Sequence, residues 1–583
     1  MTRPASTGGT DRASPADVAF ACARTFVDGL VRSGLEHVCV SPGSRSTPLA
    51  LAFARDERVR VHVHLDERSS AFVALGIAKV FGRPAGVVCT SGTAAANLFP
   101  AVVEASMSRT PLLALTADRP PELRGVGANQ TIDQRDLFGR YVRWHVDAPV
   151  PEPPAGAGSL WSLLAVEAFT RACAPLPGPV HVNLPYREPL VPGGHGADVG
   201  SGSFGTGATT GATTAAAGRP PVEDDLASFL DELRGVERGL LYAGTLRGPA
   251  PDIRALGAAL GWPVIAEPTS GIRVPGVLAA GSALLADEAF AEGHVPEVVV
   301  QFGAAPTSRA ALALTGRAGR LVIVDPDGLV ADPHRRASRR WVVNAGDLAA
   351  AAVRRVHARG DGPWGSDWRA ADEAARRAID ATIDAWEEPF EGRVARDVAA
   401  GCPDGTALVV GSSMPVRDLD AYMNPRHGLR VLANRGASGI DGFVSTALGV
   451  AATGVATTVL CGDLTLLHDV GALVWGARRG QDAVFVVPNN DGGVIFSFLE
   501  QRDLPELEEL FTTPHGLDLG RVCEAAGAGH HRVERAGDLG PAIQRARTSG
   551  GVQVVEVPID RESNVRRHGD VQEAVAVALR ADR

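Results

Sequence analysis

The chain of 583 residues carries 57 lysines and arginines against 67 aspartates and glutamates, a formal net charge of −10. At roughly 100–200 residues per domain, this length predicts about three domains. Lys79 is the only lysine, so an enzyme that forms a Schiff base would have a single candidate. A mildly acidic chain without basic runs is also not expected to bind nucleic acid.

The cysteines and the first residues of the chain indicate in which cellular compartment the protein is expected. The seven cysteines are widely spaced, with no C-x-x-C pair, which predicts neither a disulfide framework nor a zinc site and fits a reducing cytoplasm. Residues 1–13 lack the apolar core of a signal peptide and are expected to be a disordered lead. No apolar run of about 18 residues is free of charges and breakers, so no membrane span is predicted.

Apolar strand-like runs alternate with helix-like stretches through most of the chain, which is the pattern of α/β domains with parallel sheets. The first domain is expected at 14–191, followed by a flexible linker rich in Gly, Thr and Ala at 192–221. The pattern returns in a central domain at 222–365, and a long amphipathic helix at about 368–388 opens a third domain, 366–583. Ligand-binding loops of such sheets should follow the strands.

Two turns in the third domain predict a site for a divalent cation. The run CGDLT at 461–465 follows the strand-like TTVL, and NNDGG at 489–493 follows AVFVVP. Either turn alone is more often structural, but both together, with one helix between them, favour a site. Asp463 can supply a carboxylate, Asn490 an amide oxygen and Gly492 a carbonyl, which are ligands that a hard cation takes. The helix start after the first turn can face phosphate.

This combination resembles the thiamin-diphosphate-dependent enzymes, whose signature is Gly-Asp-Gly followed at an interval by Asn-Asn. Leu464 departs from the third signature position. The resemblance implies three doubly wound parallel-sheet α/β domains, with 14–191 binding the pyrimidine and 366–583 the diphosphate. It implies thiamin diphosphate held through Mg2+ (or Mn2+) by Asp463, Asn490 and Gly492. It also implies a homodimer or homotetramer with active sites between subunits. Further implied cofactor contacts are Pro42, Glu67, Ile440, Gly462, Leu464, Thr465 and Gly493.

Glu67 is the candidate for the catalytic glutamate of this superfamily. It stands at the predicted start of a helix after a strand, in HVHLDERSSAF, where the helix dipole alone would favour an acid. The resemblance assigns it a hydrogen bond to N1′ of the aminopyrimidine, which allows the 4′-nitrogen to remove the C2 proton of the thiazolium.

Six longer strings narrow the resemblance: 41–49 (SPGSRSTPL), 66–68 (DER), 90–94 (TSGTA), 116–123 (TADRPPEL), 127–130 (GANQ) and 434–442 (NRGASGIDG). They are similar to the 2-succinyl-5-enolpyruvyl-6-hydroxy-3-cyclohexene-1-carboxylate synthase family of menaquinone biosynthesis, in which Gly-Asp-Leu is usual. The resemblance implies that 2-oxoglutarate is decarboxylated and its succinyl unit is added to isochorismate by conjugate addition. The products would be the compound in the family name and CO2.

The two substrates bring several carboxylates, which suit arginine because it is always charged and can bind in a bidentate manner. By resemblance, isochorismate would face Ser44, Arg45, Arg119, Asn129 and Gln130. The succinyl carboxylate would face Ser413, Arg417 and Arg435.

Apolar residues complete the implied site. Ile440 matches a wedge that bends the cofactor, whereas Ile495 and Phe496 match wall residues but would equally suit an ordinary helix-face core. Arg309 stands alone where some relatives carry two adjacent basic residues, and its assignment as a substrate contact stays open.

Two other functions remain open at this point. One is another thiamin-diphosphate enzyme, such as an acetohydroxyacid synthase or a 2-oxoacid decarboxylase, against which the six strings count. The other is a non-catalytic cofactor-binding sensor or scaffold, against which the presence of Glu67 counts.

Overall fold

The computed structural model describes residues 14–152, 157–193, 218–360 and 362–581. The predicted lead at 1–13 and residues 194–217 of the predicted linker lie outside the described residues. The chain forms two compact units, Met1–Thr214 and Ala215–Arg583.

The first unit is built on a parallel sheet that has six strands within its described residues, in the order β2-β1-β3-β4-β6-β5. The strands are β1 (His37–Val40), β2 (Arg60–Val63), β3 (Ala85–Cys89), β4 (Leu112–Asp118), β5 (Trp144–Asp147) and β6 (Pro179–Pro185). The helices are α1 (Pro15–Ser33), α2 (Thr47–Ala54), α3 (Glu67–Phe81), α4 (Thr93–Asn97), α5 (Phe99–Met107) and α6 (Ala157–Cys173).

Helices cover both faces of this sheet, as the near-continuous apolar strands β1, β3 and β4 require. Helix α1 starts at a capping box between Ser14 and Asp17 and packs against α6, where Phe26 meets Trp161 edge to face at 6.1 Å. Helix α3 packs on β1 and β3 at the opposite face. The result is a two-sided core that holds the strand ends rigidly.

The second unit contains a central parallel sheet that has five strands over the residues described, in the order β11-β10-β9-β7-β8. Its strands are β7 (Gly239–Ala243), β8 (Val264–Ala266), β9 (Val298–Phe302), β10 (Arg320–Val324) and β11 (Ala337–Trp341). Its helices are α7 (Glu223–Leu233), α8 (Asp252–Leu260), α9 (Gly281–Ala286), α10 (Glu288–Gly293), α11 (Arg309–Arg317) and α12 (Ala345–Val353).

A further parallel sheet of the second unit, six-stranded within the described part of the chain, has the order β13-β12-β14-β15-β17-β16. Its strands are β12 (Ala407–Val410), β13 (Arg430–Ala433), β14 (Thr457–Leu460), β15 (Ala483–Asn489), β16 (Gly529–Arg532) and β17 (Val552–Pro558). The remaining helices are α13 (Pro363–Asp384), α14 (Glu391–Gly401), α15 (Met414–Tyr422), α16 (Phe443–Ala451), α17 (Asp463–His468), α18 (Val470–Arg478), α19 (Leu519–Ala526), α20 (Leu539–Ser549) and α21 (Arg561–Ala581). The 3-10 turns and a π-helix are Pro121–Leu123, Gly139–Tyr141, Pro268–Ser270, Val494–Phe498, Glu500–Asp503, Ala536–Asp538 and, for the π-helix, Leu507–Thr512.

Both six-stranded sheets have the same strand order when their strands are counted from one, and that order reverses between the first and third strands. The carboxyl ends of those two strands are adjacent, and open α/β sheets bind ligands in the crevice at such a point. In the first unit a Cβ at Gly43 would lie 2.2 Å from Cβ of Thr90, so only glycine allows the loops after β1 and β3 to approach this closely. The three-domain parallel-sheet fold predicted from the sequence is confirmed.

Two helices differ from their prediction. The helix expected at about 368–388 begins earlier, at Pro363, and ends at Asp384. It packs against α21 and shares a hydrophobic cluster with β7, β9 and β10 of the central sheet. The single helix expected after Gly462 is two helices, because Asp469 leaves helical geometry and its Oδ2 accepts the N–H of Ser445 at 2.7 Å.

We expect Trp368→Ala to destabilise the second unit by about 3–5 kcal/mol, because it deletes a fully buried indole from the cluster between α13 and the central sheet. Trp368 meets Phe290 edge to face at 5.0 Å. Urea unfolding followed by far-UV circular dichroism measures the effect. Arg377→Ala on the same helix is the control, since that side chain is 70% exposed and its loss should cost less than about 0.5 kcal/mol. Equal midpoints for both variants would contradict the packing described.

Candidate active site

The turn after β14 places Asp463 at the first position of α17, where its carboxylate is buried. Oδ1 accepts the N–H of Leu464 at 2.6 Å, and Oδ2 accepts the N–H of Gly492 at 2.9 Å. The second hydrogen bond joins the two turns, which agrees with the prediction that they form one site. Burial raises the pKa of Asp463, and a cation at this position would favour the charged form instead.

Asn490 follows β15 and is also buried. Its Nδ2 donates to Oε1 of Glu391 at 2.6 Å, whereas its Oδ1 is buried without a hydrogen-bond partner among the described residues. A buried amide oxygen without a partner is costly unless a ligand satisfies it. The donor set of Asp463, Asn490 and Gly492 therefore fits a hard divalent cation.

Gly492 has φ +139°, and a Cβ there would lie 2.3 Å from the carbonyl oxygen of Thr512. The N–H of Gly493 donates to the same oxygen at 2.7 Å. Asp491 Oδ1 accepts the backbone N–H groups of His515 and Gly516 at 2.9 and 2.7 Å. These hydrogen bonds hold the segment after the π-helix against the predicted cation-binding turn. This close contact requires glycine at position 492.

Three arginines predicted or considered as substrate contacts converge in the second unit. Ser413, at φ +70°, precedes α15 and its carbonyl accepts Nη1 of Arg417 at 2.6 Å. Burial, and then the charges of Arg435 and Arg309, lower the pKa of Arg417. Over the residues described, no carboxylate forms an ion pair with any of these three arginines. Positive charge that is not neutralised by an ion-paired carboxylate suits an anionic ligand.

A buried glutamate that the sequence did not single out holds the loop of Arg309. Glu267 accepts the N–H of Thr307 at 2.5 Å, its hydroxyl at 3.1 Å, and the hydroxyl of Tyr242 at 2.8 Å. The Thr307 hydroxyl also accepts Nη2 of Arg435 at 3.3 Å. Burial, together with the nearby charge of Asp420, raises the pKa of Glu267 to about 7. Glu267 lies 40 residues from Thr307, so sequence spacing did not reveal the contact.

Glu67 opens α3 as predicted, with Asp66 as its N-cap. Its side chain is half-buried and Oε2 accepts Nδ2 of Asn97 at 3.4 Å. The carboxylate therefore remains accessible at the N-terminus of α3.

The predicted contact residues in the loop after β1 differ in their exposure to solvent. Pro42 and Ser44 are exposed, but Arg45 is only 5% exposed. Arg45 donates from Nη1 to the carbonyl of Tyr186 and from Nη2 to Glu188, both at 2.9 Å, while its Nε is buried without a described partner. The structure thus engages most of this guanidinium within the chain, so the assignment of Arg45 to isochorismate stays a prediction.

Ser91 links two of the other predicted contact residues of the first unit. Its hydroxyl accepts Nη1 of Arg119, and its carbonyl accepts Nε2 of Gln130 at 3.0 Å. Arg119 is half-buried, and burial followed by the charge of Arg45 lowers its pKa. Asn129 is exposed beside Gln130. The structure therefore brings Arg45, Arg119 and Gln130 to one edge of the sheet.

Gln134 is a further residue that the sequence reasoning missed. It is fully buried, accepts the N–H of Gly92 at 2.9 Å, and donates to the carbonyl of Ala117 at 3.1 Å and to Oδ1 of Asn183 at 2.9 Å. It ties the loop after β3 to β4 and β6, and so positions Ser91. A glutamine in a polar loop carries no sequence signal for this role.

The remaining predicted residues lie around the two turns of the second unit. Ile440 is half-buried just before α16, and Thr465 is buried in α17 while Gly462 and Leu464 are half-buried. Ile495 and Phe496 are half-buried in a 3-10 turn, Val494–Phe498, where Phe496 meets Phe511 at 5.4 Å. Neither is a fully buried core residue, and both follow the predicted cation-binding turn directly.

Three family models match the chain in succession. They are "Thiamine pyrophosphate enzyme, N-terminal TPP binding domain" at 21–137, "Middle domain of thiamine pyrophosphate" at 224–410 and "Thiamine pyrophosphate enzyme, C-terminal TPP binding domain" at 414–557. Together they span most of the chain, and they show a thiamin-diphosphate-dependent enzyme.

Curated relatives define the family more narrowly. The chain is 45% identical over 566 residues to the 2-succinyl-5-enolpyruvyl-6-hydroxy-3-cyclohexene-1-carboxylate synthase of Thermobifida fusca (strain YX), covering 96% of this chain and 99% of that one. It is 42% identical over 588 residues to the synthase of the same name from Myxococcus xanthus (strain DK1622), covering 97% and 99%. The chain belongs to this synthase family. The predicted family resemblance is thereby confirmed.

A solved structure agrees at the level of the fold. Benzoylformate decarboxylase from Polynucleobacter necessarius matches with a TM-score of 0.68 at 17% identity, covering 93% of this chain and 98% of that one. At this identity the match supports the fold of the synthase family member and not its substrate. Within the residues described, none of the helices combines the length and apolarity that crossing a bilayer would need.

Proposed function

We propose that this synthase family member decarboxylates 2-oxoglutarate and adds the succinyl unit to isochorismate by conjugate addition. The products would be 2-succinyl-5-enolpyruvyl-6-hydroxy-3-cyclohexene-1-carboxylate and CO2, in menaquinone biosynthesis. The observation that carries the proposal is the cluster of Arg309, Arg417 and Arg435 without an ion-paired carboxylate among the described residues. Together with the names of the relatives, it supports an anionic substrate.

We propose Asp463, Asn490 and Gly492 as ligands of Mg2+ or Mn2+, which would hold the diphosphate. The unpartnered Oδ1 of Asn490 supports this assignment. Thiamin diphosphate, when bound, supplies the electron sink for decarboxylation, so the protein's contribution is orientation, charge recognition and exclusion of water.

The side chains have separate tasks in this proposal. Glu67 holds a proton at N1′ of the aminopyrimidine. Ser413, Arg417 and Arg435 orient 2-oxoglutarate through its distal carboxylate, and Arg309 adds positive charge beside them. Ser44, Arg45, Arg119, Asn129 and Gln130 bind isochorismate, and Ile440, Ile495 and Phe496 provide apolar walls.

We also propose a homodimer or homotetramer with active sites shared between subunits, on the resemblance to the family, and sedimentation equilibrium with cofactor would give the mass. We further propose a cytoplasmic location, which the wide spacing of the seven cysteines and the lack of a C-x-x-C pair support.

The substrate assignment predicts a two-step dependence. With thiamin diphosphate and Mg2+, the protein should release CO2 from 2-oxoglutarate and form a new product only when isochorismate is added. Liquid chromatography with mass spectrometry follows the product, and pyruvate is the control substrate. Release of CO2 from pyruvate but not from 2-oxoglutarate would reject the proposal in favour of another 2-oxoacid enzyme. Cofactor binding without turnover of either acid would favour a sensor.

Glu67→Gln should keep thiamin diphosphate bound but lower turnover roughly a hundredfold or more, since the amide cannot hold the proton at N1′. Near-UV circular dichroism titrates cofactor binding, and steady-state kinetics give kcat. Glu57→Gln is the matched control, because Glu57 is an exposed glutamate of the same unit and its loss should leave both values unchanged. Turnover near the wild-type value in Glu67→Gln would remove Glu67 from the mechanism.

Arg417→Ala should raise KM for 2-oxoglutarate roughly tenfold to a hundredfold, because one charged hydrogen-bond donor to the carboxylate is lost. KM for isochorismate should change much less, so the two constants are measured in one series. Arg521→Ala is the control, since that side chain is 86% exposed. Equal changes in the two constants, or none, would reject the assignment of Arg417 to 2-oxoglutarate.

A further inference from the structure

The buried contact between Glu391 and Asn490 links the predicted cation-binding turn to the helices behind it. Glu391 is the first residue of α14 and is only 4% exposed. Its Oε1 accepts Nδ2 of Asn490 at 2.6 Å, and its other oxygen, Oε2, is buried without a partner among the described residues. The hydrogen bond from Asn490 thus helps to stabilise this buried carboxyl group.

The contact also decides which way the amide of Asn490 points. In the structure Nδ2 of Asn490 faces Glu391 and Oδ1 faces away, which is the orientation that an ionised carboxylate favours because it only accepts hydrogen bonds. That oxygen is the one left buried without a partner, and an oxygen is what a hard cation requires. The reversed amide would present N–H groups to the cation.

Glu391 is itself held in place by the C-terminal helix. Its backbone N–H donates to Oδ1 of Asn564 at 3.2 Å. His568, one turn further along α21, has Nδ1 at 2.9 Å from the carbonyl of Asn564 and Nε2 at 3.0 Å from Oδ1 of buried Asp418. Both neighbours are acceptors, so the imidazole donates from both nitrogens and carries a positive charge near Glu391.

We propose that Glu391 is a positioning residue for the divalent cation, acting by fixing the amide of Asn490 with its oxygen toward the metal. The inference rests on the cation site proposed above and adds a residue outside the predicted ligand set. Outer residues that orient metal ligands typically change metal affinity by about 10–100-fold when they are replaced. Glu391→Gln keeps the shape but can both donate and accept, so it no longer selects one amide orientation.

The test is the dissociation constant of Mn2+, measured from the electron paramagnetic resonance signal of free Mn2+ with thiamin diphosphate present. Glu391→Gln should weaken Mn2+ binding by about 10–100-fold. Glu267→Gln is the matched control, because Glu267 is another buried glutamate of the same unit that contacts Thr307 rather than the cation-binding turn. It should leave the Mn2+ dissociation constant unchanged.

Introducing Glu391→Gln into the Asn490→Asp variant tests whether Glu391 acts by orienting residue 490 or by a general structural role. In Asn490→Asp, residue 490 offers an oxygen in either orientation and opposes the carboxylate of Glu391, so adding Glu391→Gln should no longer weaken Mn2+ binding. An equal loss in both backgrounds, or an unchanged constant in the Glu391→Gln single variant, would overturn the inference. Equal weakening by Glu267→Gln would also overturn it.

Two other results have a separate meaning: a wild-type protein that does not bind Mn2+, and a Glu391→Gln variant that does not fold. If the wild-type protein with thiamin diphosphate does not bind Mn2+, the proposed cation site fails, and not merely the role of Glu391. If Glu391→Gln does not fold, Glu391→Asp provides the test, because it keeps the charge but withdraws the carboxylate from Asn490. The same loss of Mn2+ affinity is expected there, and wild-type affinity would overturn the inference.

Discussion

The reversal of strand order in the parallel sheets is the constraint on which the candidate site depends. In each six-stranded sheet the first and third strands are neighbours, so the loops that follow them start side by side at one edge of the sheet and border a crevice. The loops after β12 and β14 carry Ser413 and Asp463, and the next strand, β15, leads into Asn490. Residues tens of positions apart in the chain become neighbours because backbone pairing leaves them no alternative.

Within the second unit, the predicted cation site and the arginine cluster differ in how far the protein itself fixes their polar groups. Around the predicted cation, both oxygens of Asp463 and the amide nitrogen of Asn490 have partners within the chain. This part is arranged before any ligand arrives, which lowers the cost of ordering it on binding. The arginines, by contrast, repel one another, and a bound anion would relieve this electrostatic cost.

The sequence predicted the strands and turns well because their signals are local. The apolar runs before Asp463 and Asn490 are strands, and Glu67 starts its helix as the strand–acid–helix pattern indicated. Features set by distant contacts were not predictable. The helix breaks at Asp469 because of a hydrogen bond to Ser445, and Glu391 lies 99 residues from Asn490. From sequence, Glu391 has the pattern of an ordinary acid in the first turn of a helix.

All basic residues of the chain except Lys79 are arginines if histidine is left aside, and this has a physical consequence at the arginine cluster. Burial and then neighbouring positive charges lower the pKa of Arg417, and a lysine in the same environment could lose its proton and its charge. Arginine stays charged, so the repulsion among Arg309, Arg417 and Arg435 persists until an anion neutralises it. The lone Lys79 is instead paired with buried Glu104 in the first unit, at 3.4 Å. A cofactor that supplies its own electron sink removes the need for a Schiff-base lysine, so a chain with one lysine can still support this chemistry.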